Sequence, residues 1–134
     1  MTDRVFFYGT LMTGFDRRRR AGIEESTLEY LGRGFIRAAL FDLGIYPAAV
    51  PDPDGGVWGE VYRMLNPERV LPVLDDIEGF CPEEPDASLY TRVEIPITLE
   101  DGRPESGWAY FYNAPLGRAE RIASGDYLEY LRLR

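Results

Sequence analysis

Apolar and polar positions alternate in short blocks along this chain, and the period changes at a few identifiable points. Residues 4–8 are a short apolar and aromatic run that reads as a strand and stops at Gly9. From Leu28 to Leu43 the pattern is extended, with Gly32 and Gly34 placed as at a bulge or barrel corner. Ile45 to Val50 continues it, and Pro51-Asp52-Pro53-Asp54-Gly55-Gly56 is a turn by composition. Val57 to Met64 alternates as a strand. The period then lengthens: Val70, Leu71, Val73, Leu74 and Ile77 define one apolar helical face. Asn66-Pro67-Glu68 opens that helix, Pro72 should kink it or limit it to about two turns, and Gly79 is placed to end it. Leu89 to Leu99 is a further strand, where Pro96 implies an edge or bulge. Ser106 to Asn113 is the last, and Ser124-Gly125-Asp126-Tyr127 precedes a short amphipathic helix.

Strands outnumber helices and no βαβ spacing, repeat or linker is visible. The expected architecture is therefore α+β: a small mixed β-barrel with short flanking helices, one domain over residues 1–134. Fourteen glycines and ten prolines in 134 residues fit such a turn-rich fold.

Composition narrows the chemistry. There is no histidine, which excludes a Ser-His-Asp triad, a Cys-His pair and a histidine-ligated metal. The single cysteine, Cys81, excludes an internal disulfide and thiolate metal clusters. A formal net charge of −8 argues against nucleic acid as a partner. No apolar run reaches a membrane-spanning length of about 18 residues, and the N-terminus carries no signal pattern, so the expected location is cytoplasmic.

Among titratable residues, Glu78 stands out. It falls at a helix C-terminus, where an acid is electrostatically disfavoured, and Asp75 lies three residues earlier on the same face. A neighbouring like charge and the flanking Ile77 and Phe80 would both raise its pKa. Arg17 to Arg20 read as a solvated helical turn after Asp16 rather than a phosphate patch, with Glu24 and Glu25 offsetting part of the charge. Tyr8 reads as a core residue and Cys81 as inert beside Glu78, Glu83 and Glu84. Arg92 is either an outward-facing charge or an anion clamp.

Five short stretches in order change this picture. They are Tyr8-Gly9-Thr10-Leu11, Tyr46-Pro47-Ala48 followed by Gly59-Glu60-Val61-Tyr62, Leu74-Asp75 with Glu78-Gly79, Tyr90-Thr91-Arg92, and Ser124-Gly125-Asp126-Tyr127. From Val5 to about Tyr127 the chain resembles the γ-glutamylcyclotransferase-like family, in its γ-glutamylamine cyclotransferase and AIG2-like branch. The resemblance implies a barrel with a cavity near one end. Tyr8, Gly9, Thr10 and Leu11 would line it and hold the glutamyl group through backbone donors, with Tyr90, Arg92 and Tyr127 as further substrate-binding residues. It gives Glu78 the role of general acid/base.

The implied reaction converts a small γ-glutamyl amine or amino acid to 5-oxoproline and a free amine, with neither metal nor cofactor. Deprotonating an amine of pKa about 7.8 by a glutamate at about 4.3 costs roughly 4.8 kcal/mol, and by one raised to about 6.5 roughly 1.8 kcal/mol. Two other readings stand beside it: a non-catalytic barrel binding a small amino-acid-like ligand, and an oligonucleotide-binding barrel, which the acidic charge disfavours.

Overall fold

Five strands close into a barrel in the order β1-β5-β2-β6-β7. The strands are β1 (Arg4–Phe7), β2 (Leu28–Ile36), β5 (Val57–Met64), β6 (Tyr90–Leu99) and β7 (Pro104–Tyr112). A computed structural model describes residues 2–134, so Met1, part of the N-terminus read above for a signal pattern, lies outside the described residues.

The four-residue β1 performs the closure. It pairs antiparallel with β5 from Arg4↔Arg63 to Phe7↔Glu60, and parallel with β7 at Val5↔Trp108. Val5, Phe6 and Phe7 are all buried. A strand this short and this apolar is held by packing on both sides rather than by its own ladder.

Strand β2 carries the anticipated irregularity, with the register against β5 slipping between Tyr30 and Gly32. Beyond Ile36 the chain leaves the barrel for a three-stranded sheet ordered β4-β3-β8. That sheet contains β3 (Ala38–Asp42), β4 (Pro47–Pro51) and the two-residue β8 (Glu120–Arg121). Pro96 pairs with Ser106 of β7, whereas β6 meets β2 only at Thr98 and Leu99. Pro96 therefore sits where β6 has a single paired neighbour, which accommodates its missing donor.

Helix α1 (Arg17–Arg20) is one turn, α2 (Pro67–Ile77) has eleven residues, and α3 (Tyr127–Arg132) has six. The expected shortening of α2 at Pro72 does not occur. Pro72 and Glu68, whose carbonyl loses its intrahelical partner, are both exposed, so water can satisfy that carbonyl. Asn66 is the N-cap by position but its side chain makes no capping bond; Asp126, which opens α3, does accept from the Glu129 N–H at 3.2 Å.

The C-terminus of α2 is sharply defined. Gly79 takes φ +65°, its N–H donates to the Asp76 carbonyl at 3.2 Å, and the Phe80 N–H donates to the Asp75 carbonyl at 2.8 Å. This pair of bonds is a Schellman stop, with Glu78 as the last residue before the reversal. Val70, Leu71 and Leu74 are buried against the core, and Leu71 and Leu74 share their helical face with Glu78. The stop thus sets where Glu78 leaves the helix.

Candidate active site

A cleft enclosing about 350 Å³ of empty space, its mouth included, opens where β1 ends. Its walls are Phe6 to Leu11, Arg17, Tyr46 and Pro47, Glu78, Tyr90 and Tyr110. Six of the eight residues proposed from the sequence thus meet around one space: Tyr8, Gly9, Thr10, Leu11, Tyr90 and Glu78.

Two tyrosines build the floor by tying the outer sheet to the barrel. The Tyr8 hydroxyl donates to the Tyr110 carbonyl at 2.6 Å and accepts from the Ala49 N–H at 3.3 Å. The Tyr90 hydroxyl donates to the Pro47 carbonyl at 3.0 Å. Burial is the first cause holding both phenols above their ordinary pKa, and the Glu78 carboxylate adds to it. They are neutral walls with engaged hydroxyls.

Gly9 has a packing reason as well as a ligand reason. A Cβ there would stand 2.7 Å from Pro47 Cγ, so the missing side chain is what lets β4 close on the loop. The Met12 N–H donates to the Gly9 carbonyl at 3.1 Å and makes the loop a turn. Among the described residues, the N–H groups of Gly9, Thr10 and Leu11 donate to no acceptor in the protein. Three such donors in one turn that lines a cleft are available to an anionic group of a ligand.

The turn is clamped from behind. The buried Arg18 donates from Nη1 to the Leu11 carbonyl at 3.1 Å and is held by Glu25 through Nη2 at 2.7 Å and Nε at 3.1 Å. Glu60 accepts from the Thr13 N–H at 2.7 Å and from the Tyr62 hydroxyl at 2.9 Å. The arginine run is therefore not a uniformly solvated face. A helical turn rotates successive residues by about 100°, which sends Arg17 and Arg18 inward. Arg19 and Arg20 stay exposed, paired with Asp16 at 3.8 and 3.0 Å.

Glu78 is nearly enclosed, its side chain only 11% exposed. Burial lifts its carboxyl from the usual range to about 7, and Arg17 alone pulls the other way. The anticipated repulsion from Asp75 is not among the causes, because Asp75 is turned elsewhere. Its carboxylate accepts from Arg92 Nε at 2.8 Å, Arg92 Nη2 at 3.3 Å and the Tyr110 hydroxyl at 2.6 Å.

Arg92 is thereby outside the cleft. It stacks on Trp108 at 4.4 Å and lines a separate groove along α2 with Pro67, Leu71 and Phe80. Neither an exposed charge nor an anion clamp, it is the partner of a buried carboxylate. Tyr127 is also absent from the lining: it is buried at the start of α3 and stacks on Phe15 at 6.2 Å.

Six lining residues were not among those proposed from the sequence: Phe6, Phe7 and Pro47, which add apolar wall, and Arg17, Tyr46 and Tyr110, which add polar groups. Tyr46 sits in a stretch that carries the family resemblance, so a signal existed for it. Arg17 and Tyr110 had none, one lying within a charge run and the other among nine tyrosines. Among the described residues no three His, Cys, Asp or Glu side chains converge as a metal-holding group, and no helix is long and apolar enough to cross a membrane.

Residues 5–129 match the model of the family described as gamma-glutamyl cyclotransferase, AIG2-like. The gamma-glutamylcyclotransferase family protein YtfP of Escherichia coli K12 is 33% identical over 129 residues, covering 94% of this chain and 96% of that protein. The solution structure of Escherichia coli YtfP superimposes with a TM-score of 0.64 at 31% identity, over 95% of this chain and 97% of that one. The crystal structure of an AIG2-like protein from Mus musculus gives 0.67 at 25% identity, over 85% and 80%.

Proposed function

The chain belongs to the γ-glutamyl cyclotransferase, AIG2-like family, and we propose that it is a cofactor-free cyclotransferase with Glu78 as its general acid/base. Its substrate is a small γ-glutamyl compound, its products 5-oxoproline and a free amine. The observation that carries this reading is the buried Glu78 carboxyl, raised to about 7, sharing one cleft with the unpaired N–H groups of Gly9, Thr10 and Leu11.

Each step is a proton or acyl transfer. Glu78 takes a proton from the substrate's ammonium, and the freed amine attacks the γ-carbonyl of the same molecule. The new C–N bond closes the five-membered ring while the carbonyl becomes an oxyanion. Collapse breaks the original amide bond as Glu78 returns its proton to the departing nitrogen, and the second proton on the ring nitrogen passes to the freed amine, leaving neutral 5-oxoproline and an ammonium. Nucleophile and electrophile share one molecule, so the cleft need only hold the folded conformer.

Energetics favour such a base. Against an amine of pKa about 7.8, a carboxylate near 7 makes the proton transfer uphill by only about 1 kcal/mol. The backbone donors of the Gly9 to Leu11 turn suit the oxyanion, each contributing on the order of 3 kcal/mol by analogy with acyl transfer. Asp75 is unsuited to the base role, since three donors already occupy it.

The test is release of 5-oxoproline from γ-glutamyl amines and γ-glutamyl amino acids, with Glu78→Gln alongside. Release by the native protein and none by a folded variant supports the assignment. Ligand binding without release by the native protein would leave a non-catalytic binding barrel.

A further inference from the structure

The positive charge in the cleft has no role in the reaction as derived above. Arg17 is a lining residue fixed by three contacts. Nη1 donates to Thr10 Oγ1 at 2.8 Å, Nη2 donates to the Ile77 carbonyl at 3.3 Å, and the guanidinium lies over the Tyr46 ring at 4.7 Å. Nη1 is 3.8 Å from Glu78 Oε1, too far for a hydrogen bond. A guanidinium has five N–H donors, and most of these remain free.

We propose that Arg17 is a specificity-determining residue that ranks substrates by the charge of the departing amine. On this proposal γ-glutamyl amino acids, whose leaving group carries a carboxylate one carbon from the nitrogen, are preferred over γ-glutamyl amines that carry none. The inference rests on the cyclotransferase reading and deepens it.

Two observations support the placement. First, exposure rises along the cleft wall from Tyr110 at 3% and Tyr8 at 7% to Tyr46 at 39%. Arg17, stacked on Tyr46, therefore stands on the mouth side, where the departing group must lie if the glutamyl group occupies the turn at Gly9 to Leu11. Glu78 has to reach the departing nitrogen, so a carboxylate one carbon away falls beside the guanidinium next to Glu78.

Second, a carboxylate on the leaving group adds a counter-charge beyond the α-carboxylate that every γ-glutamyl substrate brings. Glu78 is the one acid among the lining residues. Whenever it carries the proton in transit, the lining residues offer Arg17 no counter-charge in a partly desolvated site. A substrate carboxylate supplies that counter-charge, and a planar fork is the geometry for binding it through two N–H groups.

The experiment compares kcat/KM for γ-glutamyl-alanine and γ-glutamyl-alaninamide, peptides of one shape that differ in the charge of the leaving group. The native protein is expected to favour the acid by about ten- to a hundredfold, the worth of one charge-assisted hydrogen-bonded contact. In Arg17→Gln that ratio falls towards one, and in Arg17→Lys it is intermediate. Equal kcat/KM for the two peptides in the native protein overturns the proposal without any variant. So does an unchanged ratio in Arg17→Gln, or an equal loss on both peptides, which would place the guanidinium against the glutamyl group common to them. If circular dichroism shows Arg17→Gln unfolded, the native pair and Arg17→Lys decide on the same criteria. Absence of 5-oxoproline from both peptides would instead overturn the cyclotransferase reading itself.

Discussion

The Tyr110 hydroxyl donates to Asp75 Oδ1 across 2.6 Å, and through this bond a residue of the cleft wall holds a carboxylate that faces the neighbouring groove. Arg92 grips the same carboxylate from the other side. Asp75 and Glu78 are three residues apart on one helix, yet they have opposite environments. Asp75 accepts from three donors, whereas among the described residues Glu78 accepts no hydrogen bond and has a single cation within 4 Å, Arg17 at 3.8 Å. One is engaged in a structural pair; the other keeps free lone pairs and an elevated proton affinity.

Glu78→Gln should lower turnover by about two to four orders of magnitude, the usual worth of a positioned acid/base. Its substrate affinity should change far less. A binding titration beside the turnover assay checks both, and a variant that keeps native turnover would remove Glu78 from the mechanism.

The same substitution should change the pH dependence of stability. The folded-state carboxyl lies near 7, above its ordinary 4.5. Between those values the unfolded chain releases its proton while the folded one keeps it, so stability falls as pH rises and levels off above about 7. Glutamine does not titrate. The gain in stability of the variant over the native protein should therefore grow by on the order of 3 kcal/mol between pH 4.5 and pH 8. Urea unfolding at the two pH values measures it; a constant gap would mean the folded carboxyl titrates like an exposed one.

Turnover should rise with pH through an ionisation near 7, as Glu78 becomes a base. Arg17 is the group holding that ionisation down, so Arg17→Gln should move the limb to higher pH. A pH–rate profile of kcat/KM on an uncharged-leaving-group substrate reads the shift. A limb that stays in place would show that Arg17 does not feel the Glu78 charge.

Removing Arg92 strands a buried carboxylate. Arg92→Leu should cost about 3 kcal/mol, at the lower end for a broken buried pair because Tyr110 still donates to Asp75. Adding Asp75→Asn should recover part of that loss. Because Arg92 lies outside the cleft, KM of the folded variant should stay near the native value. Thermal unfolding and steady-state kinetics on the three proteins separate this from a direct role in substrate binding.

Gly9→Ala puts a Cβ 2.7 Å from Pro47 Cγ, and Pro47 is itself held by the Tyr90 hydroxyl on its carbonyl. Neither side gives cheaply. The expected cost is about 1–3 kcal/mol of stability, together with a raised KM as the turn moves away from β4. Retained stability with native KM would show that the loop and β4 are looser than this packing implies.

Much of the site was legible locally. The helix carrying Glu78 is announced by Asn66-Pro67 at one end and Gly79 at the other, because caps and stops are short-range chemistry. The strand ending at Gly9 is announced by its composition, and the order of the five short stretches identifies the family. The length of α2 past Pro72 was not legible, since it depends on the exposure of the Glu68 carbonyl rather than on propensity.

By itself the sequence determined the barrel class, the position of Glu78 at a helix end, and the exclusion of histidine chemistry and of multi-cysteine metal sites. Only the tertiary structure decided which charges face which space. It turned Arg17 into the cleft and left Arg19 in water, although four identical residues in a row carry no mark of direction. It gave Asp75 to Arg92 and Tyr110, and so removed both Asp75 and Arg92 from the cleft. The physical reason is that side-chain orientation on a one-turn helix, and the partner of a buried ion, are set by contacts between residues far apart in the chain. Barrel closure brings those residues together, through as little as the single parallel pairing of Val5 with Trp108.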